Sequence, residues 1–362
     1  MSTERMSRVF LDLLGVHSPS FNEKPTADII RTFLSANNIN CYEDDSSVKT
    51  GCDSGNIIAA AHGRARLCFC AHMDTIRIYD KKSALIEDGR ISAQDCGVLG
   101  IDDKSGVAVL LEAMARMQEA GGIADDVHFV FTTCEEDGFL GAKHLDQRHF
   151  IDAYTFVADS GGVPIGYTVN RGVSQDSFEI KLLGRMSHAS SLKGLNAITA
   201  AAELLALLPK GRLSEHSFVN IQDISTLPNP NTVPDFAAIK GGVLAYNGQG
   251  ESAINEIIKT CERFSALSGI KYEINVTHDC DEFYTKEDSP IVAHAESAAQ
   301  KANLNFSLGK TGAGSDAQIF AQRGGQTLKI STGMMGVHSK GEYIMLNDME
   351  RCVDYVLKLA GL

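Results

Sequence analysis

The hydrophobic and polar positions of the chain follow one pattern up to about residue 170, a second pattern to residue 278, and then the first pattern again. In the first pattern, short runs of consecutive apolar residues alternate with amphipathic helical stretches. Such runs are typical of strands buried on both faces of a parallel sheet, and the alternation indicates β-α-β units. One of these runs, Leu67–Ala71, stops abruptly at His72-Met73-Asp74.

The second pattern, in residues 171–278, predicts a different kind of unit. Ser177–Leu183 alternates polar and apolar residues, which is typical of a half-exposed antiparallel strand. Further predicted strands lie near 218–226, 236–246 and 271–277, and predicted helices near 196–208 and 252–267. We therefore predict an α/β fold with a mostly parallel mixed sheet flanked by helices, built from residues 1–170 and 279–362. An α+β domain of residues 171–278 is inserted into it.

The first pattern also predicts particular elements. Predicted helices cover 4–15, 23–37, Ser105–Met117, 290–302 and 347–359, and predicted strands cover Gly55–Ala60, Leu67–Ala71, Val127–Thr133, Tyr154–Ala158 and Gln326–Ser331. Between Asp74 and Asp102 the sequence predicts a hairpin that turns at Asp88-Gly89.

The composition narrows the class of protein. A chain of 362 residues is long for one hydrophobic core, so two domains are expected. A net charge of −13 without a basic patch argues against nucleic acid as a partner. No apolar run approaches the ~20 residues that span a membrane, and we expect no signal peptide because the first residues lead straight into an amphipathic helix. Nine cysteines without C-x-x-C spacing indicate neither a disulfide framework nor a zinc ribbon, so we expect a cytoplasmic protein.

A histidine and several acidic residues follow the predicted buried strands. His72 and Asp74 follow the first of these strands, Glu135 and Glu136 the second, and Asp159 the third. The carboxyl ends of parallel strands meet at one edge of a sheet, where α/β proteins bind ligands. Each group alone has an ordinary explanation, because adjacent acids usually lie in solvated loops. Together, crowded carboxylates raise one another's pKa, and divalent cations remove that cost.

The donor types restrict the metal. Imidazole and carboxylate without thiolate suit zinc, cobalt or manganese. Paired metals in hydrolytic sites lie roughly 3.5–4 Å apart and act on both nucleophile and substrate. A shared carboxylate separates such a pair, and three ligand carboxylates with a bridging hydroxide balance four positive charges. One further carboxylate is then free to move protons.

Five motifs follow one another in the chain. They are Leu67-Cys-Phe-Cys-Ala-His72-Met-Asp74-Thr75, Gly100-Ile-Asp102-Asp103-Lys104-Ser-Gly106, Thr133-Cys-Glu135-Glu136, Val157-Ala-Asp159-Ser160 and Gly336-Val-His338-Ser-Lys-Gly-Glu342. With Ser18–Lys24 near the start and Gly312–Ala317 near the end, these motifs resemble the M20 metallopeptidase family, and within it the peptidase T (tripeptide aminopeptidase) branch. The resemblance covers essentially the whole chain. It implies a zinc-exopeptidase-like catalytic domain with two zinc ions and an inserted lid or dimerisation domain.

The resemblance also implies roles for individual residues. The implied metal ligands are His72, Asp102, Glu136, Asp159 and His338. Asp102 would bridge the two ions, and Asp74 would orient the imidazole of His72. Glu135 would be the general base that activates the bridging water and later protonates the leaving amine. Asp103 is expected to cap the following helix and not to bind metal, and the family often has a cis peptide after the bridging acid.

The inserted domain resembles the family's lid. His188, in Gly184–Ala189, matches a histidine that polarises the scissile carbonyl, often from the partner subunit, although an isolated histidine of this kind is more often structural. Asn231 matches a lid residue that commonly contacts substrate, and we expect Gly312 to line the same pocket. The chain departs from the branch at Leu244, where an arginine usually grips a carboxylate or a backbone carbonyl by a bidentate contact. The substrate's identity is therefore left open.

We predict a cytoplasmic two-zinc hydrolase that cleaves a short peptide near its amino end, with cobalt or manganese as other suitable metals. The resemblance allows a homodimer through the lid domain. The alternative is an N-acyl-amino-acid deacylase or another amidohydrolase of the family, because the usual arginine is missing. A non-catalytic binding protein with this fold would be expected to lose a ligand or the base, and none is lost. A flavodoxin-like nucleotide-binding module is disfavoured because Gly312–Ser315 lacks the strand-turn-helix context of a phosphate site.

Overall fold

The computed structural model describes residues 2–60, 63–78, 83–94, 97–191, 193–227 and 230–362. The chain forms two compact units. The first contains Met1–Arg171, Phe283–Lys310 and Ser315–Leu362, and the second contains Gly172–Glu282 and Thr311–Gly314. The strand Lys271–Cys280 belongs to the second unit and pairs as far as Cys280, which lies opposite Gln175.

In the part of the chain that the structure describes, nine strands form the central sheet of the first unit. Eight of them pair in the order Tyr42–Glu43, Ile57–Ala59, Val127–Thr132, Leu67–His72, Tyr154–Val157, Gln326–Ile330, Tyr167–Gly172 and Phe283–Tyr284, and Ser307–Thr311 pairs with Tyr167–Gly172. The four strands from Val127–Thr132 to Gln326–Ile330 are parallel, and antiparallel strands flank them. This arrangement confirms the predicted mostly parallel mixed sheet.

The apolar runs form strands because the sheet is buried. Every residue of Leu67–His72 and Val127–Thr132 is buried, and the ring of Phe69 stacks on those of Phe129 and Phe156 on the neighbouring strands. Each fully buried side chain of this size contributes roughly 1.5–3 kcal/mol through the hydrophobic effect. The helices of this unit are Ser2–Gly15, Lys24–Ala36, Ser46–Thr50, Ile101–Glu119, Leu140–His144, Pro290–Lys301, Asp316–Gln322 and Leu346–Ala360, with a 3-10 turn at Gln147–His149. The predicted hairpin is present as Ala84–Glu87 and Arg90–Ala93, and Tyr343–Met345 joins it as a third strand.

The helix Ile101–Glu119 is the longest buried helix of the first unit, and its first turn is irregular. Asp102 and Asp103 have non-helical backbone angles, and the peptide bond between them is cis, as the family resemblance implied. The carboxylate of Glu112 is fully buried on this helix and accepts hydrogen bonds from the Nε atoms of Arg5 and Arg116, each at 2.8 Å. The buried charge is therefore paired on both sides, which such a group requires.

The second unit is built on a five-stranded antiparallel sheet. The strands pair in the order Gly211–Ser214, Ser217–Thr226, Phe236–Ala245, Ser174–Leu183 and Lys271–Cys280. Phe178, Ile180 and Leu182 are buried and alternate with half-buried residues, as predicted. They pack in one core with the helices Ala197–Leu207 and Gly250–Ser268. None of the described helices combines the length and apolar character that a membrane crossing requires.

Candidate metal centre

The parallel strands of the first unit end at one edge of the sheet, and half of the predicted site residues lie at these strand ends. His72 is the last residue of its strand. Glu135 and Glu136 follow the neighbouring strand on one side, and Asp159 follows the neighbouring strand on the other side. The β-α-β topology of the sheet therefore brings one imidazole and three carboxylates together at this edge.

Asp102 supplies a further carboxylate, and its two oxygens face different histidines. Oδ1 lies 3.3 Å from Nε2 of His72, and Oδ2 lies 3.3 Å from Nε2 of His338. Two ligand atoms bound at about 2.0–2.1 Å to one tetrahedral ion lie about 3.3 Å apart. The geometry around Asp102 therefore suits one ion on each side of this carboxylate.

The ligand atoms form two overlapping groups. One group contains His72, Asp102 and Asp159, and the other contains Asp102, Glu136 and His338, with the atoms of each group within 4.8 Å of one another. Asp102 belongs to both groups. The five side chains offer two imidazoles and three carboxylates, which is a suitable donor set for a pair of divalent transition-metal ions.

Electrostatics also favour cations at this edge of the sheet. Burial raises the pKa of Glu135 well above its usual range, and repulsion from Asp159 and Glu136 adds to the shift. Burial likewise raises the pKa of Glu136 and Asp159. For Asp102 burial acts in the same direction, but hydrogen bonds from His338 and His72 outweigh it and hold the pKa of that carboxyl well below its usual range. The carboxylates around Asp102 therefore lack sufficient compensating positive charge, which bound cations would supply.

Asp74 makes its main side-chain contacts with the loop that carries the glutamates. Its carboxylate accepts hydrogen bonds from the backbone amides of Glu135 and Glu136 at 3.0 and 3.1 Å, and from the hydroxyl of Ser20 at 2.7 Å. The Nδ1 atom of His72 contacts the backbone carbonyl of Asp74 at 2.9 Å, whereas the Asp74 carboxylate is 3.4 Å away. Asp74 therefore orients His72 through its main chain and the glutamate loop through its side chain.

Asp103 links a strand end to the helix that follows it. Its carboxylate accepts hydrogen bonds from the backbone amide of His72 at 3.2 Å and from that of Gly106 at 3.0 Å. The second bond satisfies an amide in the first turn of the helix, as a capping residue does. Each oxygen of Asp103 therefore accepts one backbone amide.

The structure adds two residues to the site that had no predicted role. Lys329 is 2% exposed, and its Nζ lies 3.1 Å from Oδ2 of Asp159. Glu342, also buried, accepts hydrogen bonds from the backbone amides of Leu99 and Gly100, just before Asp102. The signal for Lys329 was a charged residue between Leu328 and Ile330 of a predicted strand, and the signal for Glu342 was its place in the His338 motif.

The predicted substrate residues belong to the second unit. His188 lies opposite Thr232 in a short antiparallel pair, and the amide of Ala189 donates to the carbonyl of Asn231 at 2.9 Å. His188 is exposed, and its Nδ1 lies 2.8 Å from the hydroxyl of Ser190. Gly312 lies in the segment Thr311–Gly314. Within this unit the fold therefore brings His188 and Asn231 together.

Known proteins share the fold and the sequence pattern of this chain. The sequence pattern of the peptidase family M20/M25/M40 matches residues 68–361. The uncharacterized protein YqjE of Bacillus subtilis is 26% identical over 99% of this chain and 98% of its own length. Peptidase T of Serratia proteamaculans is 26% identical, over 73% of this chain and 66% of that protein. The crystal structure of aminopeptidase PepT from Bacillus cereus superposes with a TM-score of 0.79 at 27% identity, covering 99% of this chain and 97% of that chain.

The chain belongs to the peptidase family M20/M25/M40 and resembles its peptidase T branch. It is therefore a hydrolase of the metallopeptidase class.

Proposed function

We propose that this protein is a two-metal aminopeptidase of short peptides, similar in function to peptidase T. The observation that carries the proposal is the position of Asp102, which presents one oxygen to His72 and the other to His338, at 3.3 Å in each case. A carboxylate shared between two imidazole-containing groups suits a closely spaced pair of hydrolytic metals.

In this proposal His72, Asp102 and Asp159 hold one cation, and Asp102, Glu136 and His338 hold the other. Zinc is the proposed metal, and cobalt or manganese would suit the same donors. When bound, such cations polarise a substrate carbonyl and lower the pKa of a water molecule. The chain's own contribution is to hold the donors in place, since Asp103 and Glu342 anchor the backbone on either side of Asp102.

Glu135 is the proposed general base. Its Oε2 lies 3.9 Å from Nε2 of His72, and its side chain is almost completely buried. The carboxylate of Glu135 can take up a proton from the attacking water, and the same proton can pass to the amine that leaves. The carboxylate of Asp74 accepts the backbone amides of Glu135 and Glu136 and so holds the glutamate loop in position for both transfers.

The family resemblance assigns substrate contacts to His188, Asn231 and Gly312 of the second unit. We propose that His188 stabilises the oxyanion that forms at the scissile carbonyl. We further propose that the second unit serves as a lid and dimerisation domain and the first as the catalytic domain. The homodimer and a cytoplasmic location stay predictions.

A second candidate function is that of an N-acyl-amino-acid deacylase, and the position of Leu244 favours it. Leu244 lies on the strand Phe236–Ala245, opposite Gln175 and Phe218, where the peptidase T branch usually has an arginine. Lys240, on the same strand, already forms an ion pair with Glu179 at 3.5 Å. A substrate that does not have to be bound by an arginine side chain at this position would suit the chain.

A substrate panel separates the two functions. The protein is freed of metal with a chelator, reconstituted with zinc, and assayed with tripeptides, dipeptides and N-acetyl amino acids, with Asp102→Ala as the inactive control. The proposal predicts that tripeptides are cleaved and release the amino-terminal residue. Cleavage of N-acetyl amino acids alone would support the deacylase instead. Peptide cleavage that is equal in the wild type and in the D102A protein would contradict the two-metal site.

A further inference from the structure

Lys329 is a buried cation inside the candidate metal centre. It lies on the strand Gln326–Ile330, in register with Val157 of the neighbouring parallel strand, two residues before Asp159. Its Nζ contacts Oδ2 of Asp159 at 3.1 Å, and both side chains are almost completely buried. One oxygen of Asp159 is therefore already neutralised by the chain's own positive charge.

The two groups of ligands differ in this respect. Among the described residues, the ion-pair partners of Asp102 and Glu136 are histidines, His72 and His338. Neutral imidazoles are metal ligands, whereas a lysine ammonium only competes with a metal for the carboxylate. Among the residues that the structure describes, Asp159 is thus the one ligand carboxylate in direct contact with an ammonium group, and it belongs to the first group alone.

We propose that Lys329 is a positioning residue that makes the two cation groups unequal. By holding a positive charge on Asp159, it keeps the cation at His72, Asp102 and Asp159 weakly bound and exchangeable. The cation at Asp102, Glu136 and His338 stays resident. This inference rests on the proposed function, because it concerns the same pair of cations.

Two effects of Lys329 oppose each other, and the structure indicates which is larger. A hydrogen bond to a ligand carboxylate orients it, and losing such a contact typically weakens metal binding by about 10–100-fold. Here, however, main-chain hydrogen bonds already fix the backbone on both sides of Asp159. The amide of Ala158 donates to the carbonyl of Cys70 at 2.8 Å, and the amide of Ser160 donates to the carbonyl of Ile330 at 3.2 Å. The ammonium charge is shielded from water, so its repulsion of a cation is little screened. Removing the charge should therefore strengthen cation binding.

Metal binding itself tests this role, independently of activity. Metal-free wild type, Lys329→Met and Lys329→Arg are titrated with Zn²⁺ alone against a competing chelator dye. The wild type is expected to bind two equivalents with clearly different affinities. In K329M the weaker equivalent should tighten by about tenfold or more because the repulsion by the ammonium is lost, whereas K329R, which keeps the charge, should retain the difference.

Three results would overturn the inference. The first is equal Zn²⁺ affinities of the two sites in the wild type. The second is an unchanged difference between the two affinities in a folded K329M protein, and the third is weaker binding of the second zinc equivalent in that protein. If K329M does not fold, Lys329→Gln takes its place and the wild-type titration still decides whether the two sites differ. A wild type that binds no cation contradicts the proposed function itself. Two cations bound with equal affinity contradict only the role of Lys329, so the two failures are distinguishable.

Discussion

The carboxylate of Asp74 accepts a hydrogen bond from the backbone amide of Glu135, at 3.0 Å between Oδ1 and N. Its other oxygen accepts from the amide of Glu136. The Asp74→Asn variant replaces one acceptor oxygen with an NH₂ group that faces an amide donor, so the glutamate loop should shift. We expect kcat for a tripeptide to fall by about 100-fold, because displacements near 1 Å in an active site have effects of this size.

The measurement for Asp74 is steady-state kinetics with zinc restored, and Ser20→Ala is the matched control. Ser20 also donates a hydrogen bond to the Asp74 carboxylate, at 2.7 Å, and its removal leaves both amide contacts of the glutamate loop in place. We expect S20A to retain most of its activity. Equal losses in D74N and S20A would mean that the amide contacts have no special role.

Glu342 anchors the segment that leads into Asp102. Its Oε1 accepts a hydrogen bond from the amide of Gly100 at 2.7 Å and a second one from the amide of Leu99. Glu342→Ala removes the acceptor, so zinc affinity measured by chelator competition should fall by about 10–100-fold. Glu342→Gln keeps one acceptor oxygen, so its zinc affinity should be close to that of the wild type. An unchanged zinc affinity in E342A would show that Asp102 is held by other means.

His149 makes stability depend on pH at a place remote from the metal centre. Burial lowers the pKa of His149 to about 4, and His128 and Arg148 add to the shift. In the unfolded chain the pKa is about 6.5, so between these two values the unfolded chain binds a proton that the folded chain does not. The free energy of unfolding should therefore fall as pH drops from about 6.5 to about 4, by up to about 3 kcal/mol from this group.

The His149→Gln variant removes this contribution. Urea unfolding at several pH values between 4.5 and 7 should give a flatter pH dependence for H149Q than for the wild type. Exposed His144 offers a control, and H144Q should follow the wild type. Parallel curves for H149Q and the wild type would contradict the assignment.

Much of the fold could be predicted from the sequence because burial leaves a direct mark on it. The run Leu67–Ala71 is apolar at every position since its strand is covered on both faces, and the observed strand extends it by one residue to His72. The α/β class and the peptidase T-like family were predicted correctly. The convergence of His72, Glu135 and Asp159 followed from a single rule, that parallel strands end at the same edge.

What could not be predicted depends on partners far apart in the chain. Lys329 and Asp159 pair across neighbouring strands, and only the register of those strands shows that they meet. The contact of Glu342 with the amide of Gly100 likewise joins distant segments, and backbone amides carry no sequence signal.

The central claim is that Glu135 moves protons in a metal-dependent cleavage while Glu136 and its neighbours hold the metal. The most direct test is Glu135→Gln, with metal content and tripeptide turnover measured on the same preparation. Glutamine preserves the size of the side chain but cannot take up a proton. With zinc supplied in excess, the expected result is two equivalents of zinc, as in the wild type, with turnover reduced at least about 100-fold. An E135Q protein that binds zinc normally and cleaves tripeptides at close to the wild-type rate would contradict the account.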